Sequence, residues 1–135
     1  MGRFDDALAA PGLSAIAEFK RRSPSAGDIR PGADPAEFAR AYETNGAAAM
    51  SVLCDERFAG SFADLAAARS ATTLPLIAKG FFSTREHLAE ARAAGADAVL
   101  LILRDLDDHR ARSFLADASE LGLDVLVEAH TAEEL

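Results

Sequence analysis

Along the chain, short runs dense in Ile, Val and Leu take turns with stretches whose apolar residues recur at helical spacing. The runs at 15–19, 48–53, 74–78, 98–103 and 124–127 have the length and composition of buried strands. Between them Asp34-Pro35 opens a helix as N-cap and first-turn proline, Phe38 and Tyr42 form its face with the intervening alanines, and Asn45-Gly46 closes it. A second helix starts at Ser61 or the residue before it and runs through Leu65 and Ala68. A third follows Ser83 or Thr84 and ends at Gly95, and a fourth runs from about Asp107 through Phe114 and Leu115 to Leu121-Gly122. Thr131-Ala132-Glu133-Glu134 has the look of a capping box that starts a fifth.

The order is β(αβ)4, and strands alternating with helices predict a parallel sheet with right-handed crossovers. Two α/β architectures accept it: a flavodoxin-like sheet complete at five strands, and the first five strands of a (β/α)8 barrel of TIM type. Polar placement favours the barrel. In the first strand Ile16, Glu18 and Lys20 share one face, so a carboxylate and an ammonium point into the interior at the strand's exit. Lys79 closes the third strand and Glu128 the fifth. Any one of these charges has a plain explanation as a solvated or paired strand end. Together on one rim they favour a site.

Length and composition narrow the classes. The 135 residues make a single partial β/α-barrel domain of about five parallel strands and four helices, residues 1–135, since a closed eight-stranded barrel needs roughly 200–250 residues. Hydrophobic residues are 50% of the chain, but 31 residues are alanine, so the core depends on a small set of larger side chains. A net charge of −8 argues against a nucleic-acid partner, and any anion must be caught locally. The one cysteine, Cys54, excludes an internal disulfide, and no apolar run approaches a membrane span. With no signal-peptide pattern after Met1, these features point to a cytoplasmic chain without a membrane partner.

The most specific string is IAEFKRRSPSAG, residues 16–27. It resembles the first-strand signature of the indole-3-glycerol phosphate synthase family, about I-A-E-x-K-R-x-S-P-S-x-G. The resemblance continues through Asp34-Pro35-Ala36-Glu37-Phe38-Ala39, Ser51-Val52-Leu53-Cys54-Asp55, residues 58–65, residues 90–98 and residues 121–130. It implies a lyase of tryptophan biosynthesis that closes 1-(2-carboxyphenylamino)-1-deoxyribulose 5-phosphate into indole-3-glycerol phosphate, losing carbon dioxide and water, with no cofactor and no metal. Lys79 matches the family's catalytic lysine and is the expected general acid. Glu128 is the expected base for dehydration. Glu18 would stabilise positive charge on the aniline nitrogen and hold the lysines. Lys20 would neutralise the phosphorylated substrate and share proton transfer, and Ser23 would hydrogen-bond the substrate.

The chain departs from the pattern around the lysine, where the family's R-K-D-F is Ala78-Lys79-Gly80-Phe81. Cys54 replaces a common threonine and reads as a small buried filler. His87, His109 and His130 share no ligand spacing. Asp105, Asp107 and Asp108 read as a solvated helix start. The resemblance also implies a leading helix at 3–10, and it places the family's sixth-strand asparagine and phosphate-holding loops outside these residues. The expectation is therefore that the 135 residues alone turn over little substrate and associate as a homodimer through open sheet edges. The alternatives are a non-catalytic half-barrel or flavodoxin-like dimerising module, and a related phosphate-binding barrel isomerase.

Overall fold

In a computed structural model, residues 2–135 are described. A short helix α1 (Arg3–Leu8) leads into β1 (Ile16–Phe19), and a ribbon of β2 (Arg22–Ser23) and β3 (Gly27–Asp28) follows. Then come α2 (Pro35–Thr44), β4 (Ala49–Leu53), α3 (Phe62–Ala71), β5 (Leu76–Lys79), α4 (Arg85–Ala93), β6 (Ala98–Ile102), α5 (Asp108–Glu120) and β7 (Asp124–Glu128). Single 3-10 turns occupy Glu56–Phe58, Leu103–Asp105 and Ala132–Glu134. Among the described residues no helix is long and apolar enough to cross a membrane.

The five longer strands form one parallel sheet in the order β1-β4-β5-β6-β7. Each new strand is laid beside the last, the winding of a β/α barrel. A flavodoxin-like sheet reverses direction after its first crossover and has the order 2-1-3-4-5, so that alternative is excluded.

Alternation along the strands builds two separate cores. On the outer face Phe19, Met50, Val52, Leu76, Ala78, Val99 and Leu101 pack against Ala39 of α2, Leu65 and Ala68 of α3, Leu88 and Ala91 of α4, and Phe114 and Ala118 of α5. On the inner face, at the amino ends of the strands, Phe4 of α1 packs on Ala49, Ile77 and Ala98, with Leu8 and Leu126 around them. Helix α1 is thus a floor under the strands. The Asp124 carboxylate holds its start by accepting from Gly2 N at 3.0 Å and Asp5 N at 3.1 Å, where an anion also meets the positive helix end. A Cβ on Gly2 would lie 2.7 Å from that carboxylate, so a larger residue there would push the Asp124 side chain aside.

Helix starts fall where the cap residues predict. Asp34, Thr84 and Asp107 each accept a backbone N–H of the first turn, and Ser61 with Asp64 forms a capping box. Three details differ from the sequence expectation. Strand β5 starts at Leu76 rather than at Leu74, and Leu103 leaves β6 to begin a 3-10 turn. The Thr131 side chain makes no cap, and the segment is a single 3-10 turn in which the Glu134 side chain accepts from His130 N at 2.7 Å. The β2–β3 ribbon has too few residues to leave a periodic signal; Gly27, at φ 71°, makes its turn.

Candidate active site

Interior-facing residues at the carboxyl ends of the strands converge on one cavity of about 210 Å³. Glu18 comes from β1, Lys20 from just beyond it, Lys79 from the end of β5 and Glu128 from the end of β7, with Leu53, Phe58, Phe81, Leu100 and Ile102 as apolar walls. All four charges singled out from the sequence are therefore in one place.

Glu18 is the hub. Its Oε2 lies 2.8 Å from Lys79 Nζ and accepts from Ser51 Oγ at 3.1 Å, and its Oε1 lies 3.5 Å from Lys20 Nζ. Tyr42 of α2 donates to the Glu18 carbonyl at 2.7 Å and steadies the backbone. Burial alone would raise the Glu18 carboxyl, but the Lys79 hydrogen bond and charge, the Ser51 hydroxyl and the Lys20 charge together hold it below its ordinary value. It is thus an anion between two ammonium groups. Glu128 lies apart from this trio and meets His130 instead, Oε1 to Nε2 at 2.9 Å.

The rim has its own supports. Arg21 forms a bidentate pair with Asp64, at 2.6 and 2.9 Å, donates to the Ala33 carbonyl at 3.0 Å and lies over the Phe19 ring, so the chain leaving Lys20 is tied to the start of α3. Phe58 stacks on Phe81 with ring centroids 6.0 Å apart, and the Arg57 guanidinium sits 3.7 Å from the Phe81 ring centre. Asp55 joins the two loops, accepting from Arg57 N at 2.9 Å and Phe81 N at 3.4 Å.

Ser23 is not among the residues lining this cavity. It is buried, and its Oγ accepts from Ala26 N at 3.0 Å, so its hydroxyl serves the turn after Lys20. Cys54 faces the helix layer, donates to the Val52 carbonyl at 3.3 Å and is pushed up to about 12 by burial and by the charges of Asp64 and Asp55. It is an inert buried thiol, the filler its place in the strand suggested. Ala78 points into the outer core, fully buried, where a longer charged side chain would displace the packing. At Gly80 a Cβ would lie 2.9 Å from the Phe82 ring and 3.3 Å from Asp55 Cβ, so both departures beside Lys79 fit close local packing. Among the described residues no group of three or more His, Cys, Asp or Glu could hold a metal ion.

Ser51, Tyr42, Arg57 and His130 were not placed at the site by the sequence. Ser51 carried a usable signal: it stands between the inward-facing Ala49 and Leu53 at two-residue spacing.

A parallel sheet wound strand by strand, with acidic and basic side chains gathered at its carboxyl ends, defines the β/α-barrel class of protein. Within it, the family model for indole-3-glycerol phosphate synthase matches residues 2–135, and the chain belongs to that family. It is 53% identical over 126 residues to the indole-3-glycerol phosphate synthase of Nocardioides sp., covering 93% of this chain and 48% of the relative. The enzyme of that name from Leifsonia xyli subsp. xyli is 52% identical over 96% of this chain and 51% of its own, and that from Micrococcus luteus 50% identical over 99% and 49%. The chain spans about half the length of these curated relatives.

Proposed function

We propose that this chain supplies the acid–base half of an indole-3-glycerol phosphate synthase site, acting in the cytoplasm on 1-(2-carboxyphenylamino)-1-deoxyribulose 5-phosphate. The observation that carries the reading is the Lys79–Glu18 contact of 2.8 Å in a cavity shared with Lys20 and Glu128. The aryl carbon bearing the carboxylate attacks the ribulose carbonyl carbon, and Lys79 gives a proton to the carbonyl oxygen, which becomes a hydroxyl. Loss of carbon dioxide returns its electron pair to the ring. The hydroxyl then departs as water, taking a second proton from the Lys20 ammonium, while Glu128 removes the proton from the neighbouring carbon and the indole double bond forms. Glu18 keeps Lys79 an ammonium and offsets positive charge on the aniline nitrogen. Lys20 faces the substrate anion and shares the proton load. Ser23 would donate its O–H to the substrate while its Oγ accepts from Ala26 N and holds the turn after Lys20.

The test is the fluorescence of newly formed indole, using the protein as its gene encodes it. Lys79→Ala should lower kcat/KM by about 10²- to 10⁴-fold, the range a positioned proton donor supplies. Turnover undiminished in that variant would overturn the assignment of Lys79.

A second reading rests on the sheet edges. β1 and β7 each pair with one strand, and Ile16 and Val127 on them are 37% and 46% exposed. We infer that copies of these 135 residues associate through those edges into a homodimer, consistent with unpaired backbone N–H and C=O groups seeking a partner. Sedimentation of a stable monomer at high concentration would count against it.

A further inference from the structure

The inner face of β4 carries Ala49, Ser51 and Leu53, and Ser51 is the polar one. It stands opposite Glu18 in the β1–β4 register and is 2% exposed. Its Oγ donates at 3.1 Å to Glu18 Oε2, the same oxygen that Lys79 Nζ meets at 2.8 Å. Lys79 belongs to β5, whereas Glu18 belongs to β1, so their contact passes over β4 and spans two strand spacings, about 9–10 Å of sheet. A residue under that crossing must keep its atoms close to the sheet, as Ser, Thr and Val do, or the two side chains cannot meet. It must also offer a donor, or the carboxylate oxygen is left with Lys79 alone.

We propose that Ser51 is a positioning residue of the site: its hydroxyl fixes Glu18 Oε2 beneath the Lys79 ammonium and so sets where the proton donor stands. Ser51 exchanges no proton with substrate. It holds the carboxylate while the charge on Lys79 changes, when an unheld carboxylate would turn toward Lys20 on its other side. The groups facing Glu18 are Lys79 from β5, Ser51 from β4, Lys20 beyond β1, and the Tyr42 hydroxyl of α2 on its carbonyl, with Glu128 of β7 in the same cavity. The consequence for turnover rests on the acid role given to Lys79, but the consequence for Glu18 does not.

The experiment therefore has two readouts. Carboxyl carbon NMR follows the titration of Glu18 in the wild-type chain, in Ser51→Ala, and in the isosteric pair Ser51→Thr and Ser51→Val. The expected result is an upward shift of the Glu18 midpoint in the alanine and valine variants, with the threonine variant close to wild type. In the turnover assay Ser51→Ala and Ser51→Val should lose about tenfold in kcat, the worth of a hydrogen bond to a charged group, with KM changing less and Ser51→Thr restoring the rate. Unchanged Glu18 titration in both Ser51→Ala and Ser51→Val, or equal shifts in the threonine and valine variants, overturns the proposal even if thermal stability falls. A titration shift as expected in a protein with no turnover in any form supports the positioning role and sinks the proposed function instead.

Discussion

Glu18 ties the chemistry of the site to acid stability. Its carboxyl is held below the 4.5 of a free glutamate, so the stabilisation it gives is present above that value and is lost as pH falls through the folded-state value. In Glu18→Gln the carboxylate is absent at every pH. Thermal midpoints of the two proteins should therefore differ most near neutrality and converge as pH drops below 4.5; a constant gap would mean the Lys79 and Ser51 contacts do not stabilise the anion. Cys54 gives a second test at this scale. A thiol at about 12 and buried is almost wholly protonated at pH 8, so alkylation should be slow in the native chain and rise steeply with unfolding. Fast native modification would place Cys54 at a looser rim than its packing shows. Glu18, Lys20, Lys79 and Glu128 were legible because each is a charge at a strand exit. The partners of Glu18 were not: Ser51 lies 33 residues away and Tyr42 24, and such contacts depend on strand order and helix placement rather than local spacing.

At the scale of elements, the short apolar runs of the strands and the cap residues of the helices were enough to lay out β1, β4 to β7 and α2 to α5. They failed where an element is too short to repeat, as in β2 and β3, or where a cap pattern opens only a single 3-10 turn, as at Thr131. Helix α1 shows what a six-residue element can do when its partners are distant in sequence. Phe4, at 1% exposed, fills the inner face at the amino ends of the strands, and Asp124 grips the helix start. Phe4→Ala should cost about 3–5 kcal/mol, seen as a lower midpoint in chemical denaturation. Asp124→Asn, which keeps the shape and loses the charge at the helix end, should cost about 0.3–1 kcal/mol. If the two variants cost the same small amount, α1 is not the floor of the inner core.

For the whole molecule, strand order is the decisive observation. Composition and alternation admitted both a flavodoxin-like sheet and a barrel, because each is built from the same βα units. Polar placement favours the barrel and the winding β1-β4-β5-β6-β7 excludes the alternative, and that winding follows from packing between units rather than from any one of them. The edges of this sheet predict association that strengthens on adding salt, since backbone pairing and apolar contact drive it and salt screens the net charge of −8 that opposes it. Sedimentation at low and high salt checks this; dissociation on adding salt would point to ion pairs instead. The division of each strand into outward and inward positions has a further consequence for how the molecule tolerates change. Met50 and Val52 belong to one core, whereas Ala49 and Ser51 on the same strand face the floor and the site. A saturation library over β4 should therefore give a comb-shaped profile, with alternate teeth failing in abundance and in turnover, so that fitness effects of adjacent codons are uncoupled.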